Sequence, residues 1–216
     1  MVNGSEVSEV AKATQEVAKL GGKAVDLVSR SSGFLYNILG RPLEDLVGTK
    51  IADPLKAKRL ENQIVLVQET IKRLAARGIT DEMIAKVSPS LIEPLLEAAG
   101  GESRPELQDL WARLLANALD PSREQDLRIE FIETLKLFHP RDAFILLAMS
   151  DSGATLAPNT RDYFMKRLAL QQSTVLVSLA HLEKLGCIHQ DAGAGGSPAN
   201  FYMAAYGSEL VRACRQ

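Results

Sequence analysis

Cysteine is nearly absent from this chain of 216 residues, which contains only Cys187 and Cys214. Two cysteines are too few for a disulfide framework, and free thiols are typical of proteins in a reducing cytoplasm. An apolar leader is also missing, because residues 1–18 carry several charged side chains and no apolar run. The longest uncharged stretch near the start, residues 31–40, is shorter than the ~20 residues that a membrane-spanning helix needs. We therefore expect a cytoplasmic protein.

The chain also lacks an excess of charge and a recognisable set of catalytic side chains. Its net charge is −2, whereas a protein that binds nucleic acid usually has a basic excess. The glycine pairs lack the lysine or the strand–turn–helix setting of a phosphate-binding loop. Glu93, Glu97 and Glu102 lie near helix ends, where capping and solvation explain them better than an acid–base pair does. We expect no enzymatic activity and no cofactor.

One loose grouping of metal-ligand residue types is present near the carboxyl terminus. Cys187 and His189 would share one face of a strand, and His181 would lie on the preceding helix. Three ligands at irregular spacing, with no fourth, are weak evidence for a zinc site. We interpret them as a buried cysteine and two surface histidines, and we predict no metal site.

Helical periodicity is what the sequence does contain. Hydrophobic residues make up 46% of the chain and charged residues 24%, which is the ordinary globular mixture. Residues 1–138 show apolar side chains at spacings of three and four and no strand pattern, so they predict an all-helical domain. Its central helix, residues 105–119, would begin with a capping box of Ser103 and Glu106 around Pro105. The core of the motif there is Leu107, Leu110, Trp111, Leu114 and Asn117.

The first predicted helix, residues 6–32, has a seam of small side chains. The seam repeats at three and four residues and consists of Val7, Val10, Val17, Gly21, Ala24 and Val28. Small residues allow two helices to approach closely. We therefore predict that this seam mediates self-association, which makes a homo-oligomer the expected state.

A basic stretch with an apolar patch follows this seam. Residues 12–59 contain nine lysines or arginines against five acids. Such a stretch can lie on an anionic membrane surface, or its patch can fold into the helical core. The residues of this membrane or partner patch are Lys23, Arg30, Phe34, Leu35, Ile38 and Leu39. Contact with the inner membrane therefore stays open as an alternative.

The last third of the chain changes character. Helices near 141–149, 159–168 and 173–185 precede two short strands, 187–190 and 200–204, and a helical tail at 207–215. The buried face of the third of these helices would consist of Val175, Leu176, Leu179, Leu182 and Leu185. This order of elements resembles a winged helix-turn-helix, so the predicted fold is mainly α, with a helical domain at 1–138 and a winged-helix-like domain at 139–216.

Nucleic-acid binding by this winged helix is possible in principle but poorly supported by charge. Its third helix offers Gln172, Ser173, Thr174, His181 and Lys184 as candidate contacts. Residues 141–216 contain seven lysines or arginines against six acids, whereas a duplex binder typically makes ~6–10 phosphate contacts. We therefore favour a protein-interaction role over DNA binding.

A family resemblance covers most of the chain. Residues 88–121 read SPSLIEPLLEAAGGESRPELQDLWARLLANALDP. This run resembles the signature of the Abi-alpha family of bacterial abortive-infection proteins, and residues 54–79 and 207–215 are also similar to that family. The matching positions are Pro89, Ile92, Pro94, Glu97, Glu102, Leu107, Leu110, Trp111, Leu114, Leu115, Ala116, Asn117 and Pro121. The resemblance implies a role in defence against phage and assigns no catalytic residues.

Three functional hypotheses follow from these observations. The first is a non-enzymatic phage-defence protein that acts through self-association and contacts with an unknown protein partner or phage trigger. The second is a membrane-perturbing effector that uses the basic amino-terminal stretch. The third is a winged-helix transcription regulator that binds DNA.

Overall fold

A computed structural model describes residue 22 and residues 54–84, 89–123, 126–151, 160–191 and 200–215. The described chain is mainly helical, with a two-stranded antiparallel hairpin near the carboxyl terminus, which confirms the predicted fold class. It divides into two compact units between Ile132 and Glu133, a few residues before the boundary expected after residue 138. The seam and patch positions lie outside the described residues: Val7, Val10, Val17, Gly21, Ala24, Val28, Lys23, Arg30, Phe34, Leu35, Ile38 and Leu39.

The described part of the first unit is helical. Its elements are α1 (Pro54–Ala76), α2 (Asp81–Ile84), a 3-10 turn (Pro89–Leu91), α3 (Ile92–Gly100) and α4 (Pro105–Ala118). Helix α1 is followed by Gly78, whose φ of +69° is readily adopted only by glycine. Helices α1, α3 and α4 pack against one another.

Helix α4 is the most buried element of the first unit. Leu107, Leu110, Trp111 and Leu114 are each at most 3% exposed, because their spacing places all four on the face that meets α1 and α3. Asn117 is also buried, although it is polar. The indole of Trp111 therefore lies in the core and offers no surface for a ligand.

The predicted capping box at the start of α4 is wrong. The residue at the N-cap is Arg104, in an extended conformation with no side-chain cap, because a residue before proline avoids the helical region and Pro105 opens the helix. The Glu102 carboxylate instead accepts hydrogen bonds from the Arg104 backbone N–H and from its Nε, both at 2.8 Å. Ser103 is exposed.

The next helix, α5 (Ile129–Lys136), contains the division between the two units. The Ser122 hydroxyl hydrogen-bonds to Asp120 at 2.6 Å, and α5 begins at Ile129. The Asp120 carboxylate also accepts the Ser122 backbone N–H at 3.0 Å. This local turn competes with helix formation, as aspartate commonly does.

The described part of the second unit places a hairpin after three helices. Its elements are α6 (Pro140–Asp151), α7 (Thr160–Leu168), α8 (Gln172–Lys184), β1 (Ile188–Asp191), β2 (Asn200–Met203) and α9 (Ala205–Ala213). In the hairpin Ile188 pairs with Met203 and Asp191 pairs with Asn200. Helix α8 packs on α6, α7 and β1, and α9 packs on α6. Both strands were predicted to within one residue at each end.

The buried face of α8 differs from the prediction at Leu176, and the predicted Leu185 lies just beyond the helix and is half-buried. Val175, Leu179 and Leu182 are fully buried, but Leu176 is 38% exposed and Ser178 is only 6% exposed. The buried stripe follows positions 175, 178, 179 and 182, which is the spacing of a single helical face. The hydroxyl of Ser178 therefore lies on the buried face, which the prediction did not include.

Candidate functional site

A cleft of about 510 Å³ opens on the second unit between the first turn of α6 and one face of α8. Seven of its eight lining residues have polar side chains, although apolar atoms make up most of the surface that they expose to the cleft. The lining residues are His139, Arg141, Asp142, Ser173, Thr174, Val177, Ser178 and His181. A volume of this size is within the usual range for small-ligand pockets.

Two sequence patterns bring these residues together. Along α8, Thr174, Val177, Ser178 and His181 repeat at three and four residues and therefore share one face. At the start of α6, Pro140 occupies the first helical position, where its missing N–H costs nothing. The two elements meet because α6 and α8 pack against each other.

A buried carboxylate joins the two elements. Asp142 is 1% exposed, and its Oδ2 accepts the backbone N–H of His139 at 2.8 Å. The same oxygen lies 2.8 Å from Nδ1 of His181. A carboxylate can only accept, so this contact assigns the Nδ1 proton to His181. The imidazole, whose side chain is 33% exposed, consequently presents Nε2 as the nitrogen available for other partners.

Several other lining side chains form no hydrogen bond or ion pair with another residue that the structure describes. No described carboxylate pairs with the Arg141 guanidinium; only the Arg141 backbone N–H is engaged, donating to His139 Nδ1 at 3.3 Å. The hydroxyls of Ser173, Thr174 and Ser178 likewise hydrogen-bond to no described residue. The cleft therefore concentrates unpaired hydrogen-bonding groups.

The candidate nucleic-acid contacts divide between the cleft and the exposed surface of α8. Ser173, Thr174 and His181 line the cleft, whereas Gln172 and Lys184 are exposed outside it. A catalytic triad is not assembled, because no described hydroxyl hydrogen-bonds to His181.

Sequence reasoning missed the contribution of α6, namely His139, Arg141 and Asp142. A signal was available, because Asp142 falls three, four and seven residues before the buried Ile145, Leu146 and Met149. An acid on the apolar face of a helix must be paired or hydrogen-bonded when it is buried.

The grouping of His181, Cys187 and His189 does not converge. Cys187 is fully buried and His189 is exposed, so the expectation that they share one face is wrong. Burial, and secondarily the Asp142 carboxylate, raises the pKa of Cys187 to about 12, which keeps the thiol protonated at neutral pH. His189 stacks on Tyr202 with ring centroids 5.6 Å apart. No metal-ligand cluster occurs among the residues that the structure describes.

A separate polar cluster lies inside the first unit, around the end of α4. Arg77 donates to Oδ1 of Asn117 at 2.6 Å and lies 3.7 Å from the Asp120 carboxylate. Burial lowers the pKa of Arg77 from its usual value, as does the charge of Arg123, while Asp120 opposes this effect. Nearby, Arg73 forms an ion pair with Asp109. The Arg73–Asp109 pair joins α1 to α4, and Arg77 joins the segment after α1 to the end of α4. Among the described residues, Nε of Arg73 and Nη2 of Arg77 are buried without a hydrogen-bond partner.

Comparison with protein families gives one match. The model of a family described as abortive infection alpha matches residues 59–214, which include the helical motif at 88–121 and every residue of the cleft. The chain belongs to the abortive infection alpha family. This confirms the resemblance read from the sequence, and it connects the chain with defence against phage.

No curated protein and no solved structure matches this member of the abortive infection alpha family. Among the described residues, no helix is long and apolar enough to cross a membrane.

Proposed function

We propose that this protein is a cytoplasmic phage-defence protein that acts without catalysis, through contacts with other proteins. The observation that carries the proposal is the apolar outer face of α8. Val177 is 69% exposed and Leu176 is 38% exposed, and the exposed Ala180 lies one turn further along. Exposed apolar side chains grouped on one element are typical of protein-interaction surfaces.

The position of α8 in the second unit strengthens this reading. We interpret the succession of α6, α7, α8 and the β1–β2 hairpin as a winged helix, in which α8 takes the place of the recognition helix. A recognition helix for DNA presents arginine, lysine, asparagine or glutamine to base edges. Here the middle of the exposed face is apolar, and Lys184, near its end, lies beside Glu183.

Replacing Val177 with lysine tests the proposal in a phage challenge. The Val177→Lys variant should fold normally and lose protection, because a charge would enter the apolar contact. Ser208→Lys is the matched control, since Ser208 is exposed on α9 and receives the same charge; it should protect like the unaltered protein. Full protection by Val177→Lys, at equal protein level, would show that α8 is not the contact surface.

Self-association through the seam of Val7, Val10, Val17, Gly21, Ala24 and Val28 is part of the same proposal. Its support is the small-residue periodicity of the sequence. Light scattering during size-exclusion chromatography should give a mass above that of one chain, and a version without residues 1–50 should be monomeric and unprotective. A strict monomer at high concentration rules out this part of the proposal.

Membrane perturbation is a second candidate function. It is supported by the excess of nine cations over five acids in residues 12–59 and by the neighbouring Phe34–Leu39 patch. Flotation with anionic vesicles decides between the candidates. If the protein binds the vesicles and a version without residues 1–50 does not, the membrane-perturbing function is favoured. If the protein does not bind the vesicles even when phage lysate is present, this alternative is ruled out.

DNA binding is a third candidate, supported by the polar groups Ser173, Thr174 and His181 in the cleft. It predicts a salt-dependent shift of duplex DNA at micromolar protein, because phosphate contacts release counterions. The near balance of seven cations and six acids in residues 141–216 argues for the absence of such a shift at physiological salt.

A further inference from the structure

We propose that the cleft between α6 and α8 binds a phosphate-bearing ligand of nucleotide size. This inference goes beyond the proposed protein contacts and does not depend on them. The groups that converge on the cleft are mainly hydrogen-bond donors without partners in the described chain: the Arg141 guanidinium and the hydroxyls of Ser173, Thr174 and Ser178.

The chemistry of these groups selects an oxyanion. Arginine has five N–H donors and no acceptor, and its planar fork matches two oxygens of a phosphate. A hydroxyl donates one further hydrogen bond to such an oxygen. The only carboxylate that lines the cleft, Asp142, already accepts two hydrogen bonds through Oδ2. Asp142 is also only 1% exposed, so little of this carboxylate is open to a cationic ligand.

The pair of Asp142 and His181 suits a phosphate as well. Because Asp142 engages Nδ1 of the ring at 2.8 Å, the ring is held in one orientation and Nε2 is left for the ligand. This nitrogen donates to a phosphate oxygen when the ring is protonated, and it accepts from a phosphate O–H when the ring is neutral. Asp142 is thus a positioning residue and His181 is a binding residue.

The size and the apolar part of the cleft favour more than a bare phosphate. A volume of about 510 Å³ greatly exceeds that of a single oxyanion, and Val177 adds an apolar surface to the lining. A nucleoside group attached to the phosphate would fill the remaining volume and contact the apolar surface. The phosphate could belong to a free nucleotide or to a nucleic-acid backbone, since both present the same oxygens.

The test is calorimetric titration of the full chain at low salt with four probes: inorganic phosphate, ADP, adenosine and a short DNA duplex. ADP should bind saturably, and adenosine should bind at least tenfold more weakly.

Arg141→Gln should weaken ADP binding roughly tenfold or more, since it removes a hydrogen bond to a charged group. His181→Asn, whose amide can still donate to Asp142, should weaken it similarly. Lys184→Gln is the matched control, an exposed cation of α8 outside the cleft, and should change binding less than twofold.

The outcomes separate the two sources of phosphate and can overturn the proposal. ADP binding with no duplex binding identifies a free nucleotide. Duplex binding that is sensitive to Arg141→Gln but not to Lys184→Gln, without ADP binding, identifies a nucleic-acid backbone. If neither binds saturably, or if Lys184→Gln weakens binding as much as Arg141→Gln does, the cleft is not a phosphate site. Thermal unfolding of each variant distinguishes lost binding from lost folding; if Arg141→Gln unfolds, Ser173→Ala, on an exposed side chain, provides the same comparison.

Discussion

At the scale of single residues, the polar side chains of the family motif hold the first unit together. Asn117 and Asp120 both face the Arg77 guanidinium, which is mostly buried, with its side chain 19% exposed. A guanidinium cannot lose its proton in a protein, so it needs acceptors wherever water cannot reach it. The role of Asn117 in the motif is thus to hold Arg77, just after α1, against α4.

Replacing Asn117 with alanine should destabilise the protein by about 1–3 kcal/mol, because Arg77 would lose its 2.6 Å acceptor. Urea unfolding at neutral pH measures the effect. The stability loss of the double variant, Asn117→Ala with Arg77→Ala, should be smaller than the sum of the two single losses by on the order of 1 kcal/mol. Strict additivity would show that the two side chains are not coupled.

Gly207 is a second residue whose role is set by packing. A Cβ atom at this position would lie 2.0 Å from the carbonyl oxygen of Cys187, and backbone cannot move aside as a flexible side chain can. Gly207→Ala should therefore destabilise the protein by about 3 kcal/mol or more. Gly101→Ala is the control, because the nearest atom to its Cβ would be 3.6 Å away. Equal melting temperatures for the two variants would contradict this account.

At the scale of elements, α8 has two faces with opposite roles. Val175 is fully buried and Val177 is 69% exposed, although they are two residues apart. Val175→Ala should cost about 2 kcal/mol through lost burial and a new cavity, whereas Val177→Ala should change stability by less than about 0.5 kcal/mol. Urea unfolding of both variants measures the difference. If Val177→Ala cost more stability than Val175→Ala, α8 would have to be rotated about its axis.

The turn between α3 and α4 should respond to acid. Burial by itself raises the pKa of Glu102, but its hydrogen bonds from Arg104 outweigh burial and hold this pKa below its usual value. A carboxyl group with a lowered folded-state pKa stabilises the fold above its unfolded-state pKa, and this contribution is lost as pH falls through the folded-state pKa.

Glu102→Gln should therefore reduce stability at pH 7, by on the order of 1 kcal/mol, and the difference from the unaltered protein should be smaller at pH 3, below the ordinary pKa of a glutamate side chain. Urea midpoints at the two pH values provide the measurement. Glu97→Gln serves as the control on the exposed side of α3. If Glu102→Gln lost the same stability at both pH values, the loss would be due to packing and not to the charge of Glu102.

The elements themselves were largely predictable, and their ends were less so. Long periodic stretches such as α1 and α8 are specified by local spacing, which the sequence displays directly. The predicted cap of α4 was wrong because Pro105 keeps Arg104 out of the helical conformation, and the Glu102 carboxylate accepts the Arg104 backbone N–H instead. Before α5, Asp120 and Ser122 likewise form a local hydrogen bond.

At the scale of the whole molecule, the chain forms two compact units that divide between Ile132 and Glu133. Each has its own buried core, which contains Trp111 in the first and Phe164 in the second. We therefore expect a core defect to remain local. Hydrogen exchange should rise in residues 54–132 of the Asn117→Ala variant and in residues 133–215 of the Gly207→Ala variant. Increased exchange throughout the chain in either variant would show that the units unfold together.

The sequence by itself determined the family, the helical class, the hairpin and the membership of the α4 core, because these depend on residue type and spacing along the chain. Only the tertiary structure decided where the cleft lies. Asp142 and His181 are far apart in sequence, and their 2.8 Å contact exists only because α6 packs across α8. Local periodicity can place each residue on a face of its helix, but which faces meet depends on the packing of the whole unit.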